Sequence, residues 1–377
     1  MATHLRILNS TVFQASRIGS LHFRIRYNSC TAIGSHTIPR FYLEQFATPT
    51  RLGKPGRVWV YEKERPPQLR STRSQGRENG YFQIIRDDGK KDEFTETALA
   101  EFEDECLGAL VSAKFALCDL ALVYVKLASY AGMMFQRSTV RRKFSARNWS
   151  KLEGPYTSLA SNQEYLQDVA VHYTDLTGQT FTSQQIAELI LKQSAIFTDI
   201  NYTRSTFVKD LWMHIDICKQ EMLKKSWQVW HAPQEVEFVT SDNPVVTFLR
   251  FFTQHQEIWH PGYGFGTKNV LIAFPLAPTA CLIMTDAPFR FSRASVNAET
   301  VRQVNEMLIR SCDRFVYSLT PSPDVEVAVN HLSGTSVPGE NAFLGRAIDQ
   351  KLVEDHLRKT MQIPKRQREP STSLETE

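Results

Sequence analysis

The segment from Thr95 to Gln136 constrains the fold more than any other. It contains no proline, and Leu99, Phe102, Leu107, Leu110, Val111, Leu117, Leu120, Tyr124, Leu127 and Ala131 recur at intervals of three and four. That spacing puts them on one face and predicts one long helix, or two joined by a kink near Gly108 or Gly132. Further helices are expected at about Asn162 to Tyr173, Ser183 to Phe197 and Ser205 to Met222, each opening near a Ser, Thr or Asn that can cap free N–H groups. Residues 95–222 therefore read as a helical block, whose apolar faces need another layer to cover them.

Strand-like segments flank this block on both sides. Before it, Pro39 suits a first helical position and starts a short helix through Phe46. Arg57-Val58-Trp59-Val60-Tyr61-Glu62 alternates as a strand, residues 63–79 read as a loop rich in proline and basic residues, and a second strand is expected around Tyr81 to Ile85. After the block come short β-rich runs at Trp227 to Trp230, Glu235 to Val239, Val245 to Phe248, Val270 to Phe274, Cys281 to Met284 and Arg314 to Tyr317, with a helix at Ala298 to Ser311 before the last. A Pro-, Ser- and Gly-bearing loop then leads to a surface helix at Glu340 to Thr360. The order predicts an α+β fold: a mostly antiparallel sheet with a large helical block packed on or inserted into it, forming one domain over residues 34–361, with 362–377 a disordered tail.

Composition settles the broad class. Apolar residues make up 42% and charged residues 22%, which excludes disordered and collagen-like chains. The 44 Lys and Arg exceed the 40 Asp and Glu by four, and all of that excess lies in residues 1–33, which hold Arg6, Arg17, Arg24 and Arg26 and no acid. A neutral body argues against bulk electrostatic binding to nucleic acid. The acid-free leader has the composition of a mitochondrial transit peptide, with an unaddressed extension as the other reading, so the expected location is cytoplasmic or mitochondrial matrix. Six cysteines without a C-x-x-C pair read as buried thiols in a reducing compartment. No window of 18 apolar residues suggests a membrane span.

Several polar residues have types and positions that suit chemistry. His36 precedes the first helix and could serve as general base or metal ligand, with Arg40 four residues on as a fork for phosphate or carboxylate. Glu96 and Glu103 are two helical turns apart and could hold a divalent ion or share a proton; a solvated acidic first turn is the plainer reading. Asp242 and Asn243 follow a strand, where they could bind metal or substrate or simply make a turn before Pro244. Arg137 and Arg141 belong to an acid-free stretch interleaved with Phe135, Phe144 and Trp149, a pattern that suits phosphates or bases. Gly262-Tyr263-Gly264-Phe265-Gly266-Thr267-Lys268 lacks phosphate-loop spacing, His255 and His260 lack zinc-protease spacing, and there is no Gly-x-Ser-x-Gly elbow or dinucleotide fingerprint.

Together, His36-x-x-Pro39-Arg40-x-Tyr42-Leu43-x-x-Phe46, the strand Val58-Trp59-Val60-Tyr61 with Lys63 after it, Glu96 with Glu103, and Thr240-Ser241-Asp242-Asn243-Pro244 resemble the domain of unknown function 4238 family from about Ser35 to Ser318. The resemblance implies fold boundaries and no settled activity.

Two functions are expected from the residues. In the first, His36, Glu96, Glu103 and Asp242 converge on a cleft with Arg40, Arg137, Arg141 and Asn243 at its rim. That set would suit a hydrolase of a phosphate-bearing substrate, nucleic acid among the candidates, aided by a divalent metal. In the second, the same residues form a structural network in a non-catalytic binding or scaffold protein.

Overall fold

The computed structural model describes residues 34–333 and 335, apart from 51–53, 80, 83, 86–90, 93, 115–119, 152, 197–199, 253–256, 263 and 289–290. The leader, the Glu340 to Thr360 helix and the tail expected from the sequence lie outside the described residues.

The N-terminal part comprises β1 (Gly34–His36), α1 (Arg40–Leu43) continued by a 3-10 turn at Glu44–Phe46, β2 (Arg57–Glu62), β3 (Arg65–Ser71), β4 (Arg77–Asn79), β5 (Ile84–Ile85) and β6 (Lys91–Asp92). The helical block is α2 (Phe94–Lys114), α3 (Leu120–Gln136), α4 (Thr139–Ser150), α5 (Glu153–Ala160), α6 (Gln163–Thr177), α7 (Ser183–Ile196) and α8 (Ile200–Leu223). There follow β7 (Ser226–His231), β8 (Thr240–Ser241), β9 (Val246–Phe252), β10 (Glu257–Pro261), β11 (Val270–Ala277), β12 (Ala280–Thr285), β13 (Phe291–Ser295), α9 (Ala298–Ser311), β14 (Phe315–Ser318) and α10 (Pro323–Leu332).

Among the described residues the fold is α+β, with the two-stranded pairs β1–β4 and β5–β6 beside two larger, mostly antiparallel sheets. One has the order β10-β9-β11-β12-β7-β13, in which only the β13–β7 pair is parallel; the other is β3-β2-β14-β8. The apolar run Val270–Ala277 is buried along its whole length, because its strand is central and covered on both faces. Period-2 alternation divides its side chains. Val270, Ile272, Phe274 and Leu276 join the core made with α2, α3 and α8, while Leu271 and Ala273 join the core made with α9, β14 and α10. The helical block thus covers one face of the larger sheet, and α9 and the smaller sheet cover the other.

Several expectations need correction. The segment expected to form one long helix or a kinked pair carries α2 up to Lys114 and α3 from Leu120, with the residues between them outside the described ones, and both expected kink glycines lie within these helices. Gly108 lies within α2 with open space around it. Gly132 lets α3 approach α8 so closely that a Cβ there would stand 3.0 Å from the carbonyl oxygen of Ile215. The loop at 63–79 contains β3, where Pro66 and Pro67 are tolerated because β3 is an edge strand of its sheet. Glu235 to Val239 forms no strand; Phe238 donates its N–H to the Pro278 carbonyl at 2.8 Å and Val239 donates to Asn305 Oδ1 at 3.0 Å, so neither N–H joins a ladder. Strand β11 continues past Phe274 through a register shift between Pro275 and Ala277, where a missing N–H is accommodated. The loop after the last strand folds into α10, with Pro323 at its start and the Ser322 hydroxyl accepting from Val325 N.

Candidate functional site

The chain between β1 and α1 is the hub of the candidate residues. Tyr42, Leu43 and Phe46 are fully buried, as their spacing requires, and the Tyr42 hydroxyl donates to the Pro275 carbonyl at 2.7 Å and lies 2.8 Å from Thr240 Oγ1. One phenol therefore links α1 to both sheets. Arg40 bonds Glu44 at 3.2 Å, and Glu44 also accepts from the Thr72 hydroxyl at 2.7 Å and from Gly56 N at 3.0 Å. The Arg40–Glu44 pair ties the helix to the β2–β3 hairpin.

Arg137 occupies the turn between α3 and α4 and is 2% exposed. One end of its guanidinium donates to Glu103 Oε1 on α2, the other donates to the backbone carbonyl of His36, and its central carbon lies 5.3 Å from the Phe82 ring centre. Three segments distant in sequence meet on this one side chain. Burial raises the Glu103 carboxyl above its usual range, with Arg137 opposing and Glu96 and Asp104 adding to the rise. His36 is lowered to about 4, first by burial and then by Arg137, Arg77 and Arg40, so its imidazole is neutral at pH 7. The expected rim arginine Arg137 is thus an interior clamp, and His36 contributes its carbonyl to that clamp.

Asp242 is not part of this cluster. The charges bearing on His36 are Arg137, Arg77 and Arg40, and those on Glu103 are Arg137, Glu96 and Asp104. Asp242 is buried, and its oxygens accept from the backbone N–H groups of Asp313, Arg314 and Phe315 at 2.7, 2.7 and 2.9 Å. Burial pushes its carboxyl up to about 7, while the three donors pull the other way. It shapes the turn into β14. Asn243 is also buried; its amide donates to the Ser311 carbonyl at 2.9 Å and its Oδ1 has no partner. The four expected catalytic residues therefore do not share an open cleft, and among the described residues no group of three His, Cys, Asp or Glu could hold a metal ion. The carboxylate expected to bind a metal, Glu103, is engaged by a guanidinium instead.

The remaining cations of α4 are mostly engaged. Arg142 bonds Glu78 at 2.8 Å and lies 4.0 Å from the Tyr81 ring centre, and Lys143 bonds Asp313 at 2.6 Å. Arg141 differs. Its guanidinium carbon lies 4.7 Å from the ring centre of Phe135 and 4.8 Å from that of Phe144, its Nε is buried without an acceptor, and no carboxylate or carbonyl among the described residues meets the group. Burial lowers its affinity for a proton below the usual guanidinium range. The residue keeps partial exposure.

Helix α8, which packs on α4, carries a residue that the sequence reading missed and whose charge interacts with that of Arg141. His214 is lowered by burial and by Arg141, and raised by Asp210 one turn earlier. Cys218, one turn later, bears on Arg141 and accepts from Gln136 Nε2 at 3.0 Å. The signal was available: Asp210, His214 and Cys218 recur every four residues and so share one helical face.

No helix among the described residues is long and apolar enough to cross a membrane. No curated protein and no solved structure matches the chain. The model of the family described as protein of unknown function (DUF4238) matches residues 35–322, and the chain belongs to that family.

Proposed function

We propose that this DUF4238 protein is a binding protein for a small phosphate-bearing ligand, held by Arg141 between Phe135 and Phe144 with His214 beside it, and that His36, Glu103, Arg137 and Asp242 are structural. One observation supports the reading above the rest: Arg40, Arg137, Arg142 and Lys143 each have a carboxylate partner, and the half-buried Arg141 has none among the described residues. A guanidinium nitrogen buried without an acceptor is costly, and an anion that fills the planar fork offsets that cost. The acid-free sequence of α4 favours a ligand of higher negative charge, which a phosphate offers over a carboxylate.

Calorimetric titration with inorganic pyrophosphate tests the reading. Wild type is expected to bind it at one site, Arg141→Met to lose binding, and Arg137→Lys to keep it wherever that variant folds. Equal binding by wild type and Arg141→Met would place the anion elsewhere.

A hydrolytic role at the same site is the second reading, which His214 favours: it is a neutral imidazole next to the phosphate-binding guanidinium, with Asp210 as the charge supporting its protonation. Phosphate release from a phosphomonoester that is lost in His214→Gln, with ligand binding retained, would select this reading. Absence of release by wild type would leave the protein as a binder.

A further inference from the structure

Helices α5, α6 and α7 have a core of their own, built from Tyr156, Leu159, Leu166, Val169, Ala170, Ile186 and Ile190 and distinct from the cores around the sheets. On α6, Glu164, Asp168, Val171 and Asp175 follow at intervals of four, three and four, so they form one exposed stripe. On α7, Gln185, Glu188, Leu189 and Lys192 form a second. Two adjoining grooves run along this surface with Phe181 common to both; Val171 and Asp175 line one, Glu188 and Leu189 the other. Val171 is 62% exposed and Leu189 45%, so two apolar side chains remain in water beside an aromatic floor and a border of carboxylates. Residues 153–196 hold Glu153, Glu164, Asp168, Asp175 and Glu188 against the single cation Lys192.

We infer that this α6–α7 surface docks a basic amphipathic helix of a partner protein, whose apolar stripe covers Phe181, Val171 and Leu189 and whose lysines or arginines meet Asp175 and Glu188. Charge complementarity selects this occupant. An anionic lipid surface or a nucleic acid would be repelled by the carboxylates, and an acidic segment would be repelled likewise. A second copy of this chain offers α4 as its basic helix, but Arg142 and Lys143 of α4 are already engaged by Glu78 and Asp313. The inserted helix reads as an i, i+4, i+7 anchor pattern laid into a groove.

The test is fluorescence anisotropy of the full chain with a labelled helical peptide carrying leucines on one face and lysines on the others. A control peptide has the same composition with its leucines scattered around the helix. Saturable one-site binding is expected, weakened at least about tenfold by Glu188→Lys and by Val171→Asn, and retained in Arg141→Met. Val171 and Glu188 are exposed, so both variants should fold; unchanged circular dichroism would verify this. Equal binding of the scattered peptide, or unchanged binding by the two variants, would overturn the inference. So would light scattering that shows a dimer dissociated by Glu188→Lys, since the groove would then belong to a second copy.

Discussion

Removing Arg137 should destabilise the protein in a way that depends on Glu103. In Arg137→Met the aliphatic volume is largely kept while Glu103 and the His36 carbonyl both lose their donor and the Phe82 ring loses its cation. Breaking a buried ion pair from one side costs about 3–5 kcal/mol. For a body of this size each kcal/mol corresponds to about 2 °C in Tm, so melting should fall by about 6–10 °C. Glu103→Met should cost a similar amount, because a buried guanidinium is then left with a single carbonyl. The double variant removes both charges and leaves only the His36 carbonyl unpaired, a cost of about 1–2 kcal/mol. The two losses should therefore be strongly sub-additive. The pH dependence follows from the same pair. Without Arg137 the Glu103 carboxyl rises further above its unfolded value, so the folded state holds a proton that the unfolded state releases. The deficit of Arg137→Met should accordingly be smallest in acid and grow as pH rises. Differential scanning calorimetry of the four proteins checks this, and a double-variant loss equal to the sum of the single losses would refute the pairing.

Other outcomes follow from the same geometry. His36 is lowered from 6.5 to about 4, so the folded state resists a proton that the unfolded state accepts. Its contribution is present above 6.5 and lost as pH falls from 6.5 toward 4, and a melting curve for His36→Gln that is as steep in this window as wild type would contradict it. Asp242→Asn places an amide N–H against one of three backbone donors and should cost about 1–3 kcal/mol in urea denaturation. Gly108→Ala, exposed within α2 and with open space around the added methyl, should stabilise by about 0.5–1 kcal/mol. Gly132→Ala gains the same propensity but meets the backbone of α8, so it should lower Tm; equal shifts for the two would show that α3 does not press on α8.

The fold class was legible because its main signals are periodic. The 3.6-residue spacing marked α2, α3 and α6 to α8, and α9 was bounded correctly because Asn297 caps it and its apolar stripe is continuous. Boundaries failed where tertiary partners replace ladder bonds, as with Val239 and Asn305, or where prolines sit on an edge strand, as in β3. The candidate residues were legible as types but not as roles. His36, Glu103 and Arg137 do meet, yet the contact is a backbone carbonyl and a buried ion pair, which no spacing along the chain encodes. Arg141 was visible among other cations. That it lacks a carboxylate among the described residues while Arg137, Arg142 and Lys143 have one depends on Glu103, Glu78 and Asp313 arriving from distant segments to take those three.

The most direct test of the account is the melting temperature of wild type and Arg141→Met, each with and without inorganic pyrophosphate. Methionine in place of a half-buried guanidinium without an acceptor should leave the ligand-free Tm unchanged or higher, and ligand should raise Tm by mass action in wild type only, about 2.7 kcal/mol at a hundredfold excess over Kd. A ligand-free Arg141→Met that melts well below wild type, or one that retains the ligand-induced rise, would contradict an anion site at Arg141.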